Sequence, residues 1–103
     1  MYKICYFVPE THLEKTKRAL FDVGAGSIGD YDSCAWQSRG QGQFRPLDGS
    51  NPFLGVKGAL EVVDEFKVEL VCSDDLIRRA VDALKQAHPY EEPAYEIYRM
   101  ELL

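Results

Sequence analysis

Histidine and cysteine are scarce in this 103-residue chain, which holds two of the first and three of the second. His12 and His88 alone cannot build a His-rich zinc centre within one chain. Cys5, Cys34 and Cys72 are odd in number, widely spaced and form no CxxC pair, which excludes a disulfide framework and the common zinc spacings. Cys5 and Cys72 sit in apolar, strand-like runs and read as small buried hydrophobes. That usage suits a reducing cytoplasm. Positive charge is also sparse, with 12 Lys and Arg against 17 Asp and Glu, a formal net charge of -5. The only basic cluster, Lys15, Lys17 and Arg18, has Glu14 beside it and reads as a solvated helix face. Nucleic acid and anionic membranes are disfavoured as partners. No apolar stretch approaches the roughly 20 residues that span a bilayer. The first residues alternate like a strand rather than a signal peptide. There is no GK[ST] phosphate loop and no nucleophile elbow. The one GxGxxG, Gly24 to Gly29, follows a helix pattern and opens a strand, the reverse of the dinucleotide fingerprint, so its glycines read as helix stop and turn.

What is present is ordinary globular material, 46% hydrophobic and 28% charged, enough for one domain over residues 1–103 with a core of its own. Tyr2 to Val8 reads as a strand that ends at Pro9. Thr11 with Glu14 forms a capping box for a helix with Leu13, Leu20 and Phe21 on its apolar side and Gly24 as its stop. Tyr31 to Arg39 is a second strand, with Gly40 and Gly42 as a hairpin turn or bulge and Phe44 beyond it. Pro46 to Gly58 is a loop. Ala59 to Cys72 is one long strand or two short ones, with Phe66, Val68, Leu70 and Cys72 on one face. Ser73 caps a second helix with Leu76, Ile77, Ala80, Val81, Leu84 and Ala87 on one side. Pro89 ends it, and Ala94 to Leu102 forms the last strand.

An offset of 64 residues superposes the two halves weakly: Tyr2-Lys3-Ile4 on Phe66-Lys67-Val68, Leu13 on Ile77, and Leu20 on Leu84. The order is therefore βαββαβ, an α+β, ferredoxin-like split with an antiparallel sheet and two helices on one face. Tyr2, Ile4, Tyr6, Trp36, Tyr95, Ile97 and Tyr98 are expected to supply more apolar sheet surface than two short helices cover, and hence an oligomer contact. Trp36 is expected to be buried, in the core or at a subunit contact.

The densest chemistry is His88-Pro89-Tyr90-Glu91-Glu92-Pro93. An imidazole and carboxylates can hold a divalent metal or move a proton; the bland alternative is a rigid turn whose polar groups satisfy backbone. Both Glu91 and Glu92 would point to opposite sides if the segment is extended. The helix end would favour a protonated His88. Arg45 stands at the start of the long loop, as a contact for an anion, and Asn51 lies within it. His12, in a first helical turn, reads as exposed and idle.

Two stretches carry a family resemblance. One runs from Gly24-Ala25-Gly26-Ser27-Ile28-Gly29-Asp30-Tyr31 through Gly40, Gly42, Phe44 and Pro46 to Gly49-Ser50-Asn51-Pro52 and Gly58. The other is His88-Pro89-Tyr90-Glu91-Glu92-Pro93-Ala94-Tyr95. With Tyr2 to Val8 they resemble the PII/CutA-like domain inserted in many bacterial Nif-three-like (NGG-interacting-factor-like) proteins, and the His-Pro-Tyr-Glu turn is similar to that of CutA divalent-ion tolerance proteins. The resemblance covers essentially the whole chain and implies a trimeric PII/CutA-like fold. The family's host domain, with a dinuclear metal centre and in some members a GTP cyclohydrolase description, has no counterpart in this chain. No catalytic residues and no enzymatic activity are therefore expected here. The reading is an oligomeric binding or regulatory module, cytoplasmic, with a small-molecule or protein partner and ligand contacts at His88, Tyr90, Glu91, Glu92, Arg45 and Asn51. The alternative is a CutA-like divalent-metal-binding protein with His88 and Glu92 as ligands, that metal being the only cofactor indicated. A small metal-dependent hydrolase ranks last.

Overall fold

The computed structural model describes residues Met1–Leu103. Strand β1 spans Tyr2–Pro9 and passes through a 3-10 turn, Glu10–His12, into helix α1, Leu13–Asp22. Strands β2 (Trp36–Phe44) and β3 (Glu61–Cys72) follow, then helix α2 (Ile77–Ala87) and strand β4 (Tyr95–Arg99). The strands form one antiparallel sheet in the order β2-β3-β1-β4. This is the ferredoxin-like βαββαβ arrangement expected from the repeat. The 64-residue offset maps Leu13, the start of α1, onto Ile77, the start of α2.

One register sorts the side chains. Ile4 lies opposite both Leu70 and Ile97, and Tyr6 opposite both Val68 and Tyr95. With a period of two, these residues share the face that the helices cover. Ile4, Tyr6, Val8, Val68, Leu20, Ala80 and Leu84 form the buried core there. The expected apolar open face is thus corrected. Ile4 and Tyr6 are fully buried, and Tyr95 and Ile97 pack against the core. The uncovered face instead carries Lys3, Cys5, Phe7, Trp36, Lys67, Glu69, Glu96 and Tyr98, a mixed surface. Cys5 is buried under its neighbours, and burial first of all pushes its thiol up. Cys72 is buried as well.

Trp36 is 67% exposed in the single chain, so it is not a core residue. It stands at the start of edge strand β2, where only Glu69 of β3 faces it.

Several local expectations change. Gly40 and Gly42 make neither hairpin turn nor bulge: β2 runs straight through them in unbroken register with Glu65 and Val63. The segment Tyr31 to Ala35 lies outside β2. Strand β4 stops at Arg99, short of Leu102. Neither helix has a side-chain cap. Thr11 Oγ1 bonds the His12 ring instead, at 2.9 Å. Ser73 opens a turn through its carbonyl, which accepts from Leu76 N–H, while its hydroxyl bonds Asp75. Gly24 and Gly26 do take positive φ, +100° and +79°, as a helix stop requires. The loop over residues 45–60 carries no strand or helix.

The stretch of β3 from Glu61 to Asp64 pairs with β2 alone, since β1 first meets β3 at Pro9 and Glu65. The ribbon therefore projects past the end of β1. The molecule measures 46 × 24 × 24 Å.

One polar contact lies inside the core. The Tyr6 hydroxyl donates to Thr16 Oγ1 at 2.9 Å, and Thr16 Oγ1 lies 2.9 Å from the carbonyls of His12 and Leu13. Both residues are fully buried. Burial pushes the Tyr6 phenol up to about 12, against the lowering effect of Thr16. A buried hydroxyl robbed of its partner costs about 1–3 kcal/mol. Thr16→Val is therefore expected to lower stability by about that amount in urea denaturation, and Tyr6→Phe added to it should restore most of the loss. Equal losses in the single and double variants would refute the coupling.

Candidate functional site

Past its last core contact the sheet's open face becomes a cleft of about 1000 Å³. Its floor is the β2–β3 ribbon. Ser38, Gly40, Gly42 and Phe44 alternate onto the open face of β2, opposite Lys67, Glu65, Val63 and Glu61. Two glycines and a serine leave that strip almost bare of side chains. A Cβ at Gly40 would meet nothing within 4 Å, whereas at Gly42 it would lie 1.8 Å from Glu65 Oε1. Gly42 is thus required so that the Glu65 carboxylate can lie across the strand. Neither glycine has positive φ; their role is space.

The walls come from the two segments singled out in the sequence. Residues Pro46 to Leu54 line one side, and Tyr90, Glu91, Glu92 and Ala94 the other, with Phe7 from β1 between them. The Asn51 N–H donates to Glu91 Oε2 at 3.0 Å, joining loop to turn. An aromatic cluster holds the corner: Tyr90 lies 6.0 Å from Phe44, 6.3 Å from Phe53 and 4.8 Å from His88 between ring centroids. Phe53 also meets His12 edge-on at 5.7 Å. His12 is therefore half-buried packing, not an idle surface group.

His88 holds the turn in place from behind. It is 6% exposed. Its Nε2 lies 2.6 Å from the Phe7 carbonyl, and its Nδ1 accepts the Tyr90 N–H at 3.1 Å. The neutral tautomer with its proton on Nε2 satisfies both bonds. Burial lowers the His88 pKa from 6.5, opposed by the Phe7 bond and aided by His12. Desolvation, the largest of these causes, works against the charged ring that the helix end would favour. Both ring nitrogens are engaged, so His88 has no lone pair free for a metal or ligand. No three His, Cys, Asp or Glu side chains are grouped to hold a metal ion.

The other named residues fare differently. Tyr90, Glu91, Glu92 and Arg45 all line the cleft. Asn51 reaches it through its backbone alone. The turn bends rather than extends, so Glu91 and Glu92 border the same space instead of opposite sides. Phe7, Phe44, Phe53, Glu65, Lys67 and the β2 glycines were not anticipated. A small-residue alternation, Ser38-x-Gly40-x-Gly42, was the available signal.

One group in the site is unsatisfied. The Tyr90 hydroxyl is buried, and no group of the chain bonds it with acceptable geometry. The Glu65 carboxylate stands close enough to raise the phenol's pKa further, after burial as the main cause.

No family model matches the chain. Among solved structures, CutA from Pyrococcus horikoshii superposes with a TM-score of 0.73 over 100% of this chain and 87% of its own, at 18% identity. The molecule is a PII/CutA-like α+β domain. A Bacillus cereus protein related to NIF3 superposes at 0.84, with 40% identity, over 98% of this chain and 26% of its own. Proteins named GTP cyclohydrolase 1 type 2 homolog match by sequence as well: that of Halalkalibacterium halodurans is 46% identical over 95% of this chain and 26% of its own, that of Bacillus subtilis 43% identical over 96% and 26%. The chain is thus similar to a PII/CutA-like segment of NIF3-related proteins, and it spans about a quarter of the length of the curated relatives it matches.

The buried imidazole gives the site a pH dependence of definite sign. Because the folded-state pKa lies below the ordinary 6.5, the unfolded chain binds the proton more readily. The stability that His88 contributes is present above the unfolded pKa and is lost as pH falls toward the folded value. The melting temperature is expected to fall as pH drops from about 7.5 to about 5.5, and in His88→Gln that slope should flatten. An unchanged slope in the variant would remove His88 from this role.

Proposed function

We propose that this domain is a non-catalytic, oligomeric binding module, and that the cleft over the β2–β3 ribbon holds its small ligand. The observation that carries the reading is the bare strip at Gly40 and Gly42 beneath aromatic walls. Glycine inside a strand weakens it and marks the approach of a ligand or another backbone. Pre-formed, largely apolar clefts with few polar groups are the usual form of small-molecule sites. The activity in the name GTP cyclohydrolase 1 type 2 homolog is not assigned to this segment, which amounts to a quarter of those chains. The module acts in the cytoplasm, in keeping with its three free cysteines. No helix is long and apolar enough to cross a membrane.

The assembly is a homotrimer. Strand β2 leaves its outer edge unpaired, and unpaired edges with exposed apolar groups invite association. Trp36 at 67% and Tyr98 at 50% exposure are large apolar side chains on the open face. Both are expected to be covered by neighbouring subunits, which brings the cleft to a subunit boundary.

Light scattering at micromolar concentration should give a mass near three times 11.7 kDa, with Trp36 emission blue-shifted and resistant to iodide. A purely 11.7 kDa species with fully hydrated indole emission would sink the assembly. For the cleft, a thermal-shift screen of metabolites should find a compound that stabilises the parent by about 2.7 kcal/mol at about 100 times its dissociation constant. Gly40→Leu, which fills open space, should abolish that shift and keep the fold. Compounds that stabilise the parent and Gly40→Leu equally would place the binding elsewhere.

A further inference from the structure

Outside the cleft, three aromatic rings carry a cation supplied by the chain itself. The Arg39 guanidinium lies 4.8 Å from the Phe66 centroid, Lys85 Nζ 5.5 Å from that of Tyr95, and the Arg99 guanidinium 4.5 Å from that of Tyr2. Phe7, Phe44, Phe53 and Tyr90, the rings of the cleft, carry none. The cleft's carboxylates, Glu65, Glu91 and Glu92, are likewise in no ion pair. Glu65 is the one the backbone makes room for. Its Oε1 rests 1.8 Å from where a Cβ at Gly42 would stand. The Tyr90 phenol is close enough to engage it, and among charged groups Glu65 alone bears on that phenol. A carboxylate that accepts from one phenol keeps its charge and its other lone pairs.

We propose that the cleft binds an organic cation, with its ammonium group against the Glu65 carboxylate and its alkyl groups toward the rings of Phe44, Phe53 and Tyr90. The inference rests on the cleft being a ligand site and adds the sign and kind of charge the ligand carries. Three observations carry it. The first is the vacancy of both complements of a cation, ring faces and a carboxylate, in one place. The second is the arrangement of the rings. The planes of Phe44 and Phe53 are inclined to Tyr90 by 51° and 46°, so the three form a corner instead of a stack. Rings that surround a cation in this way attract it through their quadrupoles, and an ammonium that bears alkyl groups also gains apolar contact. The third is charge. Arg39 is taken by Glu10 at 3.5 Å and by the Phe66 ring. That leaves Arg45 and Lys67, both exposed, against Glu65, Glu91 and Glu92, in a chain of net charge -5. Such a balance favours a cation over an anion. A metal ion is not favoured, since the cleft groups no set of ligating side chains and offers rings in their place.

The test uses the intact protein with choline and two probes of the same skeleton. In 3,3-dimethylbutan-1-ol a carbon replaces the nitrogen of choline, and 3,3-dimethylbutanoate is the corresponding anion. Binding is read from the backbone amides of Gly40, Gly42 and Tyr90 by nuclear magnetic resonance. Choline is expected to shift those amides and to bind at least about tenfold more tightly than either other probe, a difference of about 1.4 kcal/mol. Glu65→Gln keeps the size of the side chain and removes its charge. It should cost choline at least about tenfold and leave the alcohol unaffected, with the fold checked by melting temperature. If that variant fails to fold, Phe53→Leu, which removes an exposed ring from the loop side, should weaken choline about threefold and spare the alcohol. Equal binding of choline and the alcohol, or tighter binding of the butanoate, overturns the cation. So does undiminished choline binding by the folded variant, or the absence of any choline-induced shift. In each of these cases a metabolite stabilisation abolished by Gly40→Leu would leave the cleft reading standing.

Discussion

One register decides which residues build the protein and which are left to act. Ile4 between Leu70 and Ile97, and Tyr6 between Val68 and Tyr95, set the parity of the whole sheet. A slip of one residue would turn Phe7, Lys67 and Glu65 into the core and expose Ile4 and Val68, so the hydrophobic effect holds the register against slippage. The same parity fixes Ser38, Gly40 and Gly42 on the uncovered face. The cleft is thus a consequence of the core, built from the residues the core rejects.

A second constraint ties the turn after α2 to the sheet. The His88 ring bridges Phe7 of the central strand and the Tyr90 backbone. A histidine with both nitrogens occupied inside a protein is a structural cross-tie, and here it positions the aromatic wall that begins with Tyr90. The loop opposite is less firmly held. Its contacts to the turn are the Asn51 N–H to Glu91 and the approach of Phe53 to Tyr90. One side of the cleft is therefore rigid and the other adaptable.

The fold was legible because its signals are cumulative. Two helical stripes, a 64-residue repeat and strands rich in β-branched and aromatic residues agree with one topology. The segments that wall the cleft, Pro46 to Gly58 and His88 to Pro93, were also visible, through their prolines, glycines and clustered polar groups. What stayed hidden was decided by tertiary contact. Trp36 looked like core because its size favours burial, yet edge position leaves it uncovered. His88 looked like a ligand because imidazole beside carboxylates suggests one, yet the Phe7 carbonyl engages one ring nitrogen and the Tyr90 N–H the other. Gly40 and Gly42 looked like a turn because glycine breaks strands; only the register with β3 shows that they clear a floor. Thr11 and Ser73 had the residue types of caps but bonded neighbouring side chains instead.

The repeat has one further consequence. An offset of 64 carries Gly24 onto His88 and Phe7 onto Val71. In the first half, the segment leaving α1 places the Gly26 N–H 2.7 Å from the Val71 carbonyl. In the second half, the segment leaving α2 places the His88 imidazole 2.6 Å from the equivalent carbonyl, that of Phe7. The two halves thus close by the same stitch, made once with an amide and once with a side chain. An amide donor cannot change its protonation in water, whereas an imidazole can, and its other nitrogen carries the turn along with it. Near-symmetry of the backbone therefore hides an asymmetry: a proton added at Nδ1 keeps the Nε2–H bond to Phe7 but takes the lone pair from the Tyr90 N–H, so acid leaves both stitches in place and loosens only the turn that bears the cleft.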